Sequence, residues 1–486
     1  MTYTDLRVIV FLLLAATGFH PAAAQPVSKP NIVFFLVDDL GWTDVEPFGT
    51  RFYETPNIKK LAAGSMRFTN AYAACPVCSP TRASIMSGKY PARLQTTDWF
   101  GAAQPEEVLK NPKKRSAKPL LPAPYTAHLP LAETTIAEAL KDAGYKTFFT
   151  GKWHLGETEP YWPEHQGFDI NAGGYAAGHP KSYFSPYGNP RLKDGPPGEH
   201  LPDRLAQEAA SFIEANKAEP FFAYFSFYSV HTPFQARQDL VAKYEEKKNR
   251  LGLTDKFSSE GNSRLRTVQS HATYAAMVEA MDQAVGKVID KLKAEGVYDN
   301  TIIIFFSDNG GLSTAEGLPT SNLPLRGGKG WLYEGGIREP LLIRWPGHTK
   351  DGSTCSVPVT STDFYPTILK IAGLPLLPQQ HQDGTSLVPL LEGRQINRGP
   401  LFWHYPHYGN QGGAPGSAVR KGDWKLIRWY EDGQEELFNL KTDIGEKKNV
   451  LPANPAIAAT LKKELDIWLK QQEARLPAPN PHYQKQ

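Results

Sequence analysis

The chain has 486 residues, 41% hydrophobic and 21% charged. That is enough for roughly two to four domains of about 100–200 residues each, or for one large α/β domain with an appendage. Its 53 basic and 50 acidic residues leave a net charge of +3, and the densest basic run is the short Lys113-Lys114-Arg115. This argues against nucleic acid as the main partner, because a phosphate-tracking surface carries a strong basic excess. Three cysteines exclude a disulfide-dense scaffold, and 41 glycines with 41 prolines imply many turns and long shaped loops.

The N-terminus reads Arg7, an apolar stretch Val8 to Phe19, then Ala22-Ala23-Ala24 before Gln25. This is the pattern of a secretory signal peptide over residues 1–24. The apolar stretch falls short of the about 20 residues a membrane span needs, and no later run approaches that length. An exported protein, periplasmic or secreted and without a membrane span, is expected.

Four apolar runs then end in polar clusters. Asn31–Val37 leads to Asp38-Asp39, Lys146–Gly151 to Lys152 and His154, Phe221–Val230 to His231, and Thr301–Ser307 to Asp308-Asn309. Continuous β-branched and aromatic runs suit strands buried on both faces. Helices are expected over 135–143 and 201–215. A third is expected over 274–292, where apolar residues recur at i, i+3, i+4 and i+7. The alternation predicts an α/β fold over 28–393, a large doubly wound, mixed or parallel sheet flanked by helices. From residue 394 the texture changes. Segments 417–430 and 434–440, divided by Glu431-Asp432-Gly433, predict an antiparallel hairpin, and 455–473 a helix. Residues 394–475 thus form a smaller C-terminal α+β subdomain with an antiparallel sheet, followed by a Pro-rich tail over 476–486.

Ligands of open α/β sheets bind beyond the carboxyl ends of the strands, so these polar clusters should converge. Asp38, Asp39, Asp308 and Asn309 offer hard oxygen donors, suited to Ca²⁺ or Mg²⁺. One Asp pair after a strand serves equally well as a turn or helix cap; two pairs in one cleft favour a metal. Lys152, His154, His231 and Lys329, the last in the glycine-rich stretch 326–338, set cationic groups beside it, as an anionic substrate requires. Cys75-Pro76-Val77-Cys78 invites a redox or zinc reading. However, a zinc site wants a second ligand pair, and Cys355 stands alone. The more informative spacing is Cys78-x-Pro80-x-Arg82.

Cys78-Ser79-Pro80-Thr81-Arg82, followed by Ala83-Ser84-Ile85-Met86-Ser87-Gly88-Lys89-Tyr90-Pro91, resembles the signature of the formylglycine-dependent sulfatases of the alkaline-phosphatase superfamily. The resemblance runs from about Asn31 to Val450. It takes in Asp38-Asp39, Gly151–His154, Ser229–His231, Ser307–Gly310, Gly328-Lys329 with Glu334–Arg338, and Glu436–Leu440. It implies that Cys78 is oxidised to Cα-formylglycine during export, with a formylglycine-generating enzyme as maturation partner. It also implies that Asp38, Asp39, Asp308, Asn309 and the modified Cys78 bind Ca²⁺, with Mg²⁺ the alternative. Of the hydrated aldehyde's two hydroxyls, one attacks sulfur and the other loses its proton to expel sulfate, an exit that an unmodified cysteine lacks. By the same resemblance Arg82 holds the hydrate and His154 helps deprotonate it. Lys152, Lys329 and His231 contact the sulfate, with His231 or Lys329 as general acid to the departing alcohol.

The whole pattern is similar to exported bacterial sulfatases acting on polysaccharides or glycosaminoglycan fragments, so exo-type removal of sulfate from a sugar is expected. Trp99, Phe100, Trp153, Tyr161, Trp162 and Tyr175 could stack on sugar rings, and His179, His404 and His407 could hydrogen-bond them. Two rivals stand. A phosphoester or phosphonate hydrolase of the same superfamily would use similar metal chemistry, but a single hard-ligand set favours sulfate. A non-catalytic secreted carbohydrate-binding protein would not need Cys78, Arg82 and both lysines together.

Overall fold

A computed structural model of the chain describes residues 29–484; the signal-peptide reading over 1–24 lies outside them. Asn31–Val37 is apolar at all but its first position and forms a central strand of a nine-stranded sheet. Across the sheet the order is Thr354–Cys355, Met66–Tyr72, Arg338–Arg344, Thr301–Ser307, Asn31–Val37, Phe221–Ser226, Lys146–Gly151 and Ile170–Ala172, with Val359–Thr360 also on Met66–Tyr72. The five strands from Thr301–Ser307 to Ile170–Ala172 are parallel, whereas Arg338–Arg344 runs antiparallel to both its neighbours. Side chains of a strand alternate between faces. Val33, Phe35 and Val37 accordingly enter one core with the helices Leu201–Asn216 and Ala272–Ala294. Ile32, Phe34 and Leu36 enter the other, with Cys78–Ser87, Ile136–Asp142 and Phe364–Ile371. Both faces are covered, which is why the run shows no polar alternation.

Register carries the function. Leu36 and Gly151 both pair with Ser226, and Val37 pairs with Ser307. Asp38, Lys152 and Asp308 therefore leave the sheet at one level, on its carboxyl edge.

A second, antiparallel sheet runs in chain order through Leu401–Tyr405, Gly416–Lys421, Trp424–Trp429 and Glu435–Asn439. The expected single segment 417–430 is in fact two strands, because Lys421 pairs with Trp424 across the two-residue turn Gly422-Asp423. Gly422 has φ +58°, the left-handed backbone such a tight turn requires. The helix Pro455–Gln471 packs Leu461, Leu465 and Trp468 on Val419, Leu426 and Leu437. The opposite face, with Trp403, Ala418, Ile427 and Phe438, packs on Tyr72 and Ile337 of the large sheet's side. The C-terminal tail is not free of structure: Ala478–Pro479 pairs with Leu120–Leu121.

A buried charge cluster joins the two sheets. The ammonium of Lys425, fully buried, lies 3.0 Å from Glu334 Oε1 and 2.8 Å from Glu446 Oε1. Glu446 Oε2 accepts the backbone N–H of Glu334 at 2.6 Å, and Tyr72 Oη donates to Glu334 Oε2 at 2.7 Å. Burial pushes Glu446 up to about 7 against the pull of Lys425. Breaking such a pair from one side leaves uncompensated buried charge. Lys425→Ala should therefore destabilise the protein by about 3–5 kcal/mol in denaturant unfolding. A loss below about 1 kcal/mol, the range of surface pairs, would show that the cluster does not hold the sheets together.

Candidate active site

At the end of the central strand the backbone of Asp39 takes φ +59°, a left-handed conformation that residues other than glycine seldom adopt. Carboxylate oxygens of Asp38, Asp39 and Asp308 lie within 4.8 Å of one another, and all three residues are fully buried. Like charges this close raise one another's pKa unless cations intervene. Lys152 donates to Asp38 Oδ2 at 2.6 Å and Lys329 to Asp39 Oδ2 at 2.8 Å, while Arg82 donates from Nε to Asp308 Oδ2 at 2.7 Å. Arg82 also donates from Nη1 to the Lys152 carbonyl and to Ser226 Oγ, fixing its helix to the sheet edge. Burial pushes the Asp38 carboxyl well above the usual range, Lys152 opposing and Asp308 and Asp39 reinforcing. Burial would raise Asp39 too, but Lys329, His231 and Lys152 together hold it well below its ordinary value.

These carboxylates fit a bound cation. Asp38 Oδ1 and Asn309 Oδ1 are buried without a hydrogen-bond partner among the described residues. Asn309 spends its amide hydrogens on Asp39 Oδ1 at 2.8 Å and on the Gly310 carbonyl. These two orphaned oxygens, beside the carboxylates of Asp39 and Asp308, make a hard donor set, suited to Ca²⁺ or Mg²⁺. Sequence reading missed Glu339, whose two carboxyl oxygens are also buried without partners. Burial, with Asp308, Asp39 and Asp44 nearby, holds it well above the carboxylate range. A lone charged-looking residue within a strand gave no signal of this.

The carboxylates adjoin a cavity of about 520 Å³. Cys78, first residue of the helix Cys78–Ser87, lines it with His154, His179, His231 and Lys329. His154, also at φ +59°, has Nε2 3.0 Å from the Phe100 carbonyl, which can only accept. That bond assigns the proton to Nε2 and leaves Nδ1 as an acceptor, 3.5 Å from Cys78 Sγ and 3.1 Å from Ser79 Oγ. Burial, reinforced by Lys152, holds His154 well below its usual pKa and keeps it neutral. Burial also pushes the Cys78 thiol up, outweighing Lys152 and Lys329, so it stays protonated. His231 Nε2 stands 3.5 Å from Asp39 Oδ2, and burial and Lys329 push it low. Lys329 is held above its usual value by Asp39, despite burial, and remains an ammonium.

Two expected sugar contacts lie elsewhere. His404 is buried with Nδ1 2.7 Å from Ser417 Oγ and Nε2 2.9 Å from the Arg475 carbonyl, so both ring nitrogens are used inside the smaller sheet. His407 bonds Thr97 Oγ1 through Nε2 at 2.9 Å and lines a neighbouring cavity instead. His179 does line the first cavity, its ring near-parallel to that of His231 with centroids 6.0 Å apart. Trp99 and Phe100 line it as well, but Trp153 is a core residue against Phe149 and Phe168. Tyr161 packs on His128 and Trp162 on Tyr175, none of them lining the cavity. The cavity also holds Glu316 and Gln411, joined by a 2.5 Å hydrogen bond from Gln411 Nε2. They come from separate loops, and no local pattern marks either.

Comparison with known proteins places this geometry. A family model described as Sulfatase matches residues 30–374, and one described as N-sulphoglucosamine sulphohydrolase, C-terminal, matches residues 328–473. A protein of Formosa agariphila named Sulfatase is 34% identical, with 94% of this chain and 91% of the relative covered. The N-acetylgalactosamine-6-sulfatase of Homo sapiens is 33% identical, with 88% and 76% covered. The crystal structure of Ps i-CgsB superposes with a TM-score of 0.74 at 30% identity, covering 91% of this chain and 93% of that one. The phosphonate monoester hydrolase of Agrobacterium radiobacter, at TM-score 0.63 and 21% identity, shares the fold alone. Because the first match spans most of the chain, including the Asp38, Cys78, Lys152 and Asp308 clusters, the chain belongs to the sulfatase family, hydrolases of sulfuric esters.

Proposed function

We propose that this sulfatase removes a sulfate ester from the end of a sulfated carbohydrate chain, a polysaccharide or glycosaminoglycan fragment, after Cys78 has been matured to formylglycine. The observation that carries the reading is Cys78 itself. It is a buried, protonated thiol, hence a poor nucleophile, in a cavity among cations and 3.5 Å from the acceptor Nδ1 of His154. The carbohydrate is supported by relatives: Ps i-CgsB has been solved in complex with k-i-k-neocarrahexaose, and several relatives are named N-acetylgalactosamine-6-sulfatase. A reacting group lining a pocket that is closed on part of its surface suits a chain end, the exo mode. Export to the periplasm or medium rests on the 1–24 pattern, with a formylglycine-generating enzyme as maturation partner. Among the described residues, no helix is long and apolar enough to cross a membrane.

Asp38, Asp39, Asp308 and Asn309, with the matured residue 78, would hold Ca²⁺, Mg²⁺ being the alternative. A hydrated formylglycine supplies a hydroxyl nucleophile and a second hydroxyl for expelling sulfate, and the cation supplies charge to the site. The chain's own residues do the rest. Arg82 clamps the helix that presents residue 78 against Asp308. His154 Nδ1 accepts the proton from the oxygen on that residue. Lys152 and Lys329 hold the sulfate oxygens, as fixed donors aimed where negative charge resides. Lys329 is too firmly paired with Asp39 to give up a proton readily. The proton for the leaving alcohol is assigned to His231 as imidazolium: neutral, it carries its one proton on Nδ1, 3.1 Å from the Thr232 carbonyl, so Nε2 must first take one up, which the negative charge of the bound ester favours against burial and Lys329.

Cys78→Ala should abolish sulfate release, followed by ion chromatography, without altering the circular dichroism spectrum. In protein from its native host, mass spectrometry of the peptide spanning residue 78 should show an aldehyde in place of the thiol. Retained activity in the variant would end the proposal. Chelation should remove activity, and Ca²⁺ added back at about 100 times its Kd should stabilise the fold by roughly 2.7 kcal/mol. Asp308→Asn should lose that thermal shift. His231→Ala should cost about 10²–10⁴-fold in kcat on a sugar sulfate, whose alkoxide leaves poorly, and far less on 4-nitrophenyl sulfate. Equal losses on both esters would remove His231 from the general-acid role.

A further inference from the structure

A second cavity of about 430 Å³ adjoins the catalytic one, and Trp99 and Asn410 line both. One wall is the stretch after the short helix Pro105–Lys110, which carries Lys113-Lys114-Arg115 and Lys118, the basic run that the chemistry of the first cavity leaves unused. Lys114 and Lys118 line the cavity and form no ion pair among the described residues; Lys118 Nζ lies 4.9 Å from the Tyr408 ring centroid. The stretch is fastened by its backbone. Asn480 Nδ2 donates to the carbonyls of Arg115 and Lys118, both at 2.8 Å, and the Asn480 N–H donates to the Pro119 carbonyl at 2.9 Å. The strand pair Ala478–Pro479 with Leu120–Leu121 closes it.

Among the described residues, neither Glu107 nor Asp98, the acidic residues of this cavity, forms an ion pair with the lysines. Glu107 is used as a helix cap, Oε2 accepting the Gln104 N–H at 2.8 Å. Asp98 is buried and accepts from the Trp99 N–H and from Tyr405 Oη. His407, fully buried, turns toward Asp98 an Nδ1 that makes no hydrogen bond, 3.5 Å from Oδ2. Two unpaired, exposed ammonium groups on a backbone stapled beside a cavity form a site for an anion, whose binding must order the two side chains but not the backbone. The aromatic wall of Trp99, between the two cavities, offers an apolar face to a linking sugar ring.

We propose that the second cavity binds a further sulfate ester, carried by a neighbouring sugar of the same chain, so that the preferred substrate is an oligosaccharide sulfated on more than one residue. The inference rests on the carbohydrate-sulfatase reading above and extends it from the reacting sugar to the next.

The test uses the full chain carrying Cys78→Ala, which can bind without turnover, and two neutral-backbone galactan tetrasaccharides. One is sulfated only on its terminal residue and the other also on the adjoining residue. By calorimetry the second sulfate should tighten Kd by about tenfold at low salt, the scale of one or two charge-assisted hydrogen bonds. Lys114→Gln with Lys118→Gln should erase that gain and leave Kd for the singly sulfated chain within about twofold. Raising ionic strength to about 1 M should shrink it too, as screening requires. In the matured enzyme the same double substitution should leave turnover of 4-nitrophenyl sulfate unchanged. No gain from the second sulfate, or a gain that survives the double substitution, overturns the proposal. Failure of the catalytic reading would appear differently, as no sulfate release from any ester by the matured protein, while the binding comparison still decides the second cavity.

Discussion

Three buried carboxylates, Asp38, Asp39 and Asp308, face three buried cations, Arg82, Lys152 and Lys329, and the rest of the structure is arranged around keeping them together. Each ion taken from water costs several kcal/mol, which only close pairing offsets. The six arrive on five elements: two strand ends for the acids, a third strand end for Lys152, the helix of Cys78 for Arg82, and a glycine-rich loop for Lys329. The in-register pairing of the parallel strands is thus an electrostatic requirement as well as a packing one. Three acids and three bases sum to zero, so a divalent cation in the same cage would leave a surplus of two positive charges. An anionic ester and its nucleophile are what such a surplus suits.

The Lys329 loop shows how the smaller sheet takes part. A Cβ on Gly310 would sit 1.9 Å from the Gly335 carbonyl, and one on Gly336 2.1 Å from that of Trp331. Only glycine lets the loop lie this close to Asp308-Asn309, and the Gly310 N–H bonds the Gly336 carbonyl across the gap. Close approach sets position along the loop but does not stop it from lifting. That is resisted at Glu334, five residues beyond Lys329, where Lys425 and Glu446 reach in from the smaller sheet. The appendage suggested by composition is therefore a brace on the loop that carries Lys329.

What could be read from sequence follows from how local the signal is. The apolar runs ending in Asp38, Lys152, His231 and Asp308 announce buried strands with charges at one end, and an open α/β sheet brings such ends together. Arg338–Arg344 and Met66–Tyr72 were not foreseen as antiparallel partners, since nothing in either run fixes its direction. Gly422-Asp423 sits inside a stretch that reads as one strand. His404 finds one partner on the neighbouring strand, Ser417, and the other at the Arg475 carbonyl beyond the C-terminal helix, and period-two alternation cannot tell a packed histidine from a ligand-facing one. Glu316 and Gln411 meet across 95 residues of sequence, a distance at which only the folded chain carries information.

Cys78 is the one soft atom in an otherwise hard site. Asp38, Asp39, Asp308 and Asn309 offer only carboxylate and amide oxygens, and such sets select Ca²⁺ or Mg²⁺, which bind sulfur poorly. A cysteine intended to act as thiolate would be expected in an electropositive, partly exposed setting that lowers its pKa. Here two lysines pull in that direction and burial prevails. The surroundings neither activate the sulfur nor give it a metal it prefers. They do supply what an oxygen at that position would use: a neutral imidazole with its acceptor turned inward, orphaned hard ligands alongside, and fixed ammonium groups. The thiol is the misfit in its own pocket, and the proposed replacement of sulfur by oxygen would bring residue 78 into agreement with every group around it.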